Sequence, residues 1–189
     1  MGKSASGKDR VYHDLLKKER LGLKEFVLYT TRPIRAGETD GKEYHFVDRD
    51  VLVRLRSEGK IIEERSYDTI HGIWTYFTAD DGNIELSKYH YAAIGTLESY
   101  EKLKNYFGEE QLVPIYIEVE DGIRLQRALL REQQQSEPKY KELCRRFLAD
   151  CDDFSEEKIQ KADIKKRFFN NTTLEECLKE VEEYIQSMI

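Results

Sequence analysis

The chain has 189 residues, of which 39% are apolar and 11% aromatic, enough for one compact domain with a buried core. Charged residues make up 36% and sum to −6, which argues against binding to nucleic acid or anionic membranes at large; any bound anion must meet a local Arg and Lys cluster. No apolar run approaches the ~20 residues of a membrane span, and the amino terminus lacks the apolar stretch of a signal peptide. A cytoplasmic protein is expected. Cys144, Cys151 and Cys177, odd in number and without metal-ligand spacing, fit reduced thiols there.

Short strand-like runs alternate with longer helical ones, the pattern of an α/β domain with a mainly parallel core sheet flanked by helices. In chain order the periodicity predicts a helix over 8–20, strands over 25–29 and 44–47, and a helix over 48–58. Strands over 60–64, 73–78 and 91–95 follow, then a helix over 97–107 and a strand over 112–119. Helices over 121–134 and 139–152, a strand over 165–169 and a helix over 172–188 complete the series. Asp48 is placed to cap its helix, and Gly59 and Gly108 are placed to end helices in the left-handed conformation. Residues 30–43 read as an ordered loop, and EQQQSEP over 132–138 as a mobile connection between two Arg-bearing helices. No repeat or linker divides the chain into independent domains.

Residues Gly2, Lys3, Ser4, Ala5, Ser6, Gly7 and Lys8 satisfy the G-x-x-x-x-G-K pattern of a phosphate-binding loop. The glycines let backbone N–H groups turn toward phosphate oxygens, Lys8 supplies a point charge, and the helix that follows presents its positive end. Asp9 stands where such loops usually carry the Ser or Thr that ligates Mg²⁺. A carboxylate serves that hard cation well but repels phosphate in its absence, which predicts tight dependence on Mg²⁺. The loop begins at residue 2, with no room for the buried strand that should anchor it, so the expectation is a truncated or mis-assigned start rather than a loop held in an unusual way.

The stretch TTRPIRAGETDGKEYHFV over 30–47 resembles the acceptor-binding signature of guanylate kinases, matching the spacing of two arginines, a Gly-Glu pair, a Gly and a Tyr ahead of an aromatic strand. The residue types suit that role. Arg32 and Arg35 offer planar, permanently charged forks to a monophosphate, Tyr44 offers a hydroxyl donor, and Glu38 orients an arginine. The resemblance further implies a lid role for Arg127 and Arg131, four apart on one helix face, and for Arg146, with Arg145 an equal claimant. Asn170 matches a position beside the adenine of ATP. Glu63, with Glu64 as rival, is the implied carboxylate for the guanine base; Trp74 and Thr75, with Tyr76 as rival to Trp74, stand in for the family's Tyr-Tyr-Gly-Ser/Thr segment.

This sequence departs from the family at Leu28, where a small hydroxyl is usual, and at Ile94 and Thr96, where carboxylates are usual. Glu98 and Asp9 are then the candidates for part of the metal work. The resemblance implies a P-loop kinase with a core (1–31, 89–126 and 147–189), an acceptor-binding lobe (32–88) and a lid (127–146). Lys8, Arg127, Arg131 and Arg146 are its implied catalytic residues, ATP with Mg²⁺ its donor, and GMP the leading acceptor. Another nucleoside monophosphate or small phosphorylated acceptor is the alternative, and a catalytically silent binding module is the rival from another class. Whether it is a monomer or a homodimer is left open.

Overall fold

Local signals account for most helices in the computed structural model, which describes residues 1–35, 37–69 and 72–189; Ala36, inside the 30–47 motif, lies outside them. Helix α1 (Lys8–Leu16) starts at Gly7 and turns Val11 and Leu15 inward. Helix α2 (Arg49–Ser57) is capped by Asp48, whose carboxylate accepts the Val51 N–H at 2.9 Å. Thr96 caps α3 (Leu97–Phe107) in the same way, and Glu120 caps α4 (Asp121–Gln133). Helices α5 (Tyr140–Asp153), α6 (Glu156–Lys161) and α7 (Leu174–Gln186) follow.

Three departures from the sequence reading have physical causes. The first helix stops at Leu16 rather than 20, because residues Glu19–Leu21 tighten into a separate 3₁₀ turn that closes at Gly22. Gly108 ends α3 with φ +95° and ψ 150°, outside the left-handed helical well expected of it. The unexpected α6 buries only Ile159 among its six residues, too little for a periodic signal.

The strands are β1 (Leu23–Glu25), β2 (Tyr29–Thr30), β3 (His45–Phe46), β4 (Ile61–Thr69), β5 (Gly72–Ala79), β6 (His90–Ala92), β7 (Tyr116–Glu118) and β8 (Arg167–Phe169). Two parallel pairs, β1 with β6 and β7 with β8, form two separate two-stranded sheets of the core. A mixed sheet in the order β3-β2-β5-β4 forms the lobe beside it. The strand expected over 25–29 is therefore two strands serving two sheets. Met1 also joins the core: its nitrogen donates to the Ile115 carbonyl at 2.6 Å and its carbonyl accepts the Ile117 N–H at 2.9 Å, tying the phosphate loop to the sheet.

Apolar side chains fill both faces of the β7–β8 sheet. One cluster joins Val11 and Leu15 of α1 to Ile117, Phe168 and Val181; the other joins Leu97 and Tyr100 of α3 to Tyr116, Phe154 and Ile159. Cys177 is buried in the first cluster, where burial pushes its thiol up to about 11, and no cysteine is disulfide-bonded. The lobe has its own core of Leu52, Leu55, Phe77 and Ala79, with α2 packed on its sheet. Among the described residues no helix is long and apolar enough to cross a membrane.

Candidate functional site

The loop at 2–8 is held by contacts only glycine permits. Gly2 (φ +151°) and Gly7 (φ +87°) sit where a Cβ would meet the Ile117 carbonyl oxygen and the Asn170 amide nitrogen, each at 2.5 Å. Asn170, 3% exposed, donates that amide to the Ser6 carbonyl at 2.9 Å, so it supports the loop from beneath. Its Oδ1 is buried with no hydrogen-bond partner. Lys8 opens α1 with its Nζ 3.5 Å from Asp9, whose side chain is 69% exposed.

A carboxylate already sits on this loop. Asp150 of α5 accepts the Ser4 N–H at 2.8 Å, and Arg124 stands 3.3 Å from the same Asp150 oxygen. Arg124 is fully buried against the Phe147 ring and also pairs with Asp121, which reaches Lys3 of the loop at 3.3 Å. Neither Arg124 nor Asp150 was singled out from the sequence. The Asp121–Arg124 spacing on one helix was legible, but Asp150 comes from another helix and carries no local signal.

The lobe residues converge on Arg32. Buried to 3% exposure, it is gripped by Glu38 through two hydrogen bonds at 2.8 and 3.0 Å and donates to the Pro33 carbonyl. Its guanidinium lies 5.3 Å from the Phe46 ring centre and 5.7 Å from that of Tyr44. The Arg32 hydrogen bonds hold the Glu38 carboxyl below its usual range, helped by the Arg35 backbone N–H. Arg35 is exposed, and its N–H donates to Glu38 at 2.8 Å. Tyr44 packs edge-on against Tyr76, and burial raises its hydroxyl.

Strand register decides the base-side residues. An irregularity between Ile61 and Glu63 sets Glu63 opposite Thr78, whose hydroxyl donates to Glu63 Oε1 at 3.0 Å. Glu63 Oε2 lies 3.3 Å from Arg65 Nε, yet neither atom has a hydrogen-bond partner. Glu64 faces the other way and pairs with Arg56 of α2 at 2.8 Å, which separates the two rivals. Trp74, Tyr76 and Thr78 alternate onto the Glu63 face, with Tyr76 beside Tyr44. Thr75 does not join them. It lies on the opposite face, with its hydroxyl against Ser66 at 2.9 Å and its backbone spent on Thr30 and Thr31. Arg65 and Thr78 are site residues the sequence reading missed, because only the register places them beside Glu63.

On the lid side, Arg131 and Arg146 line a pocket of ≈ 130 Å³ with Ser4 of the loop. Arg145 turns away into a two-bond pair with Glu142, so Arg146 is the one brought to the loop. Arg127 is half-buried on α4 and does not line that pocket. A larger cavity of ≈ 400 Å³ has Lys8, Glu63, Thr78, Thr96 and Ser99 among its lining, and Leu28 and Ile94 on its apolar walls.

Among the described residues no group of three or more His, Cys, Asp and Glu gathers to hold a metal. Thr96 spends its hydroxyl capping α3, and Glu98 pairs with Lys102 at 2.7 Å, which holds its carboxyl below the usual range. Asp9 is the exposed carboxylate left beside the loop. That donor set fits Mg²⁺ carried in on nucleotide phosphates, since Mg²⁺ keeps its waters and takes one or two protein carboxylates.

A family model described as guanylate kinase matches residues 1–188. The guanylate kinase of Anaplasma phagocytophilum is 47% identical over 60 residues, which cover 32% of this chain and 29% of that protein. That of Schizosaccharomyces pombe is 42% identical over 62 residues, covering 33% of this chain and 31% of its own. The aligned stretches thus span less than a third of these relatives' own length. A crystal structure of guanylate kinase from Anaplasma phagocytophilum superposes with a TM-score of 0.61 at 23% identity, covering 98% of this chain and 82% of that one, a likeness of fold.

Proposed function

Because this chain belongs to the guanylate kinase family, we propose that it transfers the γ-phosphoryl group of ATP to a nucleoside monophosphate, with GMP as the acceptor. One observation carries the reading: a single cavity is lined by both the loop lysine, Lys8, and the buried carboxylate Glu63, whose Oε2 has no hydrogen-bond donor. A guanine base brings two adjacent N–H donors to such an oxygen pair, while Thr78 fixes the carboxylate.

The loop N–H groups and Lys8 receive the donor phosphates, and Arg131 and Arg146 face them across Ser4. Arg32, aligned by Glu38, and Tyr44 receive the acceptor phosphate, with Arg35 reaching in from the exposed loop. The acceptor is a dianion near neutral pH, so positioning and charge neutralisation carry the reaction without a general base. Asp9 would hold Mg²⁺, which would supply charge neutralisation to the nucleotide phosphates. Asp150 must give up the Ser4 N–H before a phosphate oxygen takes it. The core, acceptor lobe and lid divide at about residues 32, 89, 127 and 147, in a cytoplasmic enzyme.

A coupled ADP assay across a panel of monophosphates tests this. GMP is expected to give the highest kcat/KM; preference for a pyrimidine nucleotide refutes the guanine assignment. The second reading, a binding module without catalysis, is favoured by Ile94 and Thr96 in place of carboxylates. Calorimetry with ATP and Mg²⁺ separates the two, since the module reading requires no binding.

A further inference from the structure

Two buried polar atoms of the lobe sheet stand side by side without a hydrogen bond. Glu63 and Arg65 lie two apart on β4, so both project from one face of that sheet. Glu63 Oε2 and Arg65 Nε are 3.3 Å apart, close enough to attract, yet neither has a hydrogen-bond partner among the described residues, so the N–H is not aimed at the oxygen. A buried donor and a buried acceptor left unmatched are costly, and together they mark a place where a ligand supplies the missing partners.

The neighbouring side chains narrow what that ligand presents. The Thr78 hydroxyl spends its proton on Glu63 Oε1, and Leu28 and Ile94 on the cavity wall have no side-chain donor to give. The site therefore offers, in order, a donor at Arg65 Nε, an acceptor at Glu63 Oε2 and an acceptor at Oε1, which can take a second hydrogen bond beside that of Thr78. Its complement is an edge that reads acceptor, donor, donor. Guanine has that edge in O6, N1–H and the 2-amino group. Adenine sets an amino group against Arg65, donor to donor. Xanthine sets a carbonyl against Oε1, acceptor to acceptor, and hypoxanthine matches only the first two positions.

The lobe also fixes which way round the base lies. Arg65 is opposite Tyr76 in the β4–β5 ladder, and Tyr76 packs on Tyr44, so Arg65 stands on the Tyr44 side of Glu63. In an anti nucleotide the 5′-phosphate sits on the C8 side of the purine, the side that carries N7 and O6. A phosphate held at Arg32 and Tyr44 thus turns O6 toward Arg65 and the 2-amino group toward Thr78.

We propose that Arg65 is a specificity-determining residue of the acceptor site, its Nε–H donating to the 6-carbonyl oxygen of guanine while Glu63 Oε2 accepts the N1–H beside it. The inference rests on the acceptor site proposed above, and its test reads binding rather than turnover. Calorimetry on the 189-residue chain compares GMP with 6-thio-GMP, whose sulfur is a weak acceptor, and with IMP, which lacks the 2-amino group. GMP is expected to bind at least about tenfold more tightly than either. In Arg65→Met, which keeps an apolar stem and removes the donor, the preference over 6-thio-GMP is expected to fall to within about threefold while the preference over IMP is retained. An arginine that only balances the Glu63 charge would weaken all three nucleotides alike, and that result overturns the proposal. Equal binding of GMP and 6-thio-GMP by the unaltered chain overturns it with no variant needed. If the unaltered chain binds no GMP, the acceptor reading falls together with this one; GMP binding with a 6-thio preference untouched by Arg65→Met overturns the Arg65 assignment alone.

Discussion

Acetylating the Met1 nitrogen of the 189-residue chain removes a buried titrating group from its place against Ile115, and the structure dictates how stability then changes with pH. In the folded chain the ammonium's pKa is about 5, against 8.0 in the unfolded chain. Between those values the unfolded state takes up a proton that the folded state refuses, so stability rises with pH across this window. The contribution is fully present above pH 8 and is lost as pH falls through 5. Three units at about 1.4 kcal/mol each give ~4 kcal/mol, a ceiling because Met1 as a residue is only half-buried. The assay is urea unfolding of the free and acetylated chains from pH 4.5 to 8.5, compared as a difference so that the carboxylates cancel. The free chain is expected to lose up to ~4 kcal/mol relative to the acetylated one toward the acid end. Profiles that stay parallel within about 0.5 kcal/mol would refute the burial of that charge.

The remaining predictions concern the site. Glu63→Gln keeps the volume but removes an acceptor, so kcat/KM for GMP is expected to fall about 10²-fold or more, with the KM for ATP little changed. An equal loss for every acceptor would show that Glu63 does not read the base. Lys8→Met is expected to slow turnover by roughly 10²–10³-fold while leaving melting nearly unchanged, because its link to exposed Asp9 is worth under about 1 kcal/mol. Gly7→Ala forces a Cβ into the Asn170 amide at a φ of +87°, which costs about 1–3 kcal/mol. It should appear as a lowered melting temperature together with weakened ATP binding, and unchanged melting would mean the loop relaxes freely.

Much of the fold and part of the site were legible in the sequence because their causes are local. The cap at Asp48 acts on an N–H group three residues away, and the loop glycines are demanded by their own backbone angles. The Arg32–Glu38 grip closes within six residues of one loop. Tertiary structure decided what rests on pairing between distant segments. The β4–β5 register, with its irregularity after Ile61, set Glu63 opposite Thr78 with Arg65 beside it, left Glu64 to Arg56 and turned Thr75 to the other face. A one-residue slip would have reversed every one of those assignments, since side chains alternate faces along a strand. The packing of α5 on α4 set Arg146 rather than Arg145 in the pocket beside Ser4, and set Asp150 on Ser4, 146 residues away. Short-range periodicity determines which element forms, whereas the face an element presents, and the partner it meets there, follow only from the assembled sheets and helices.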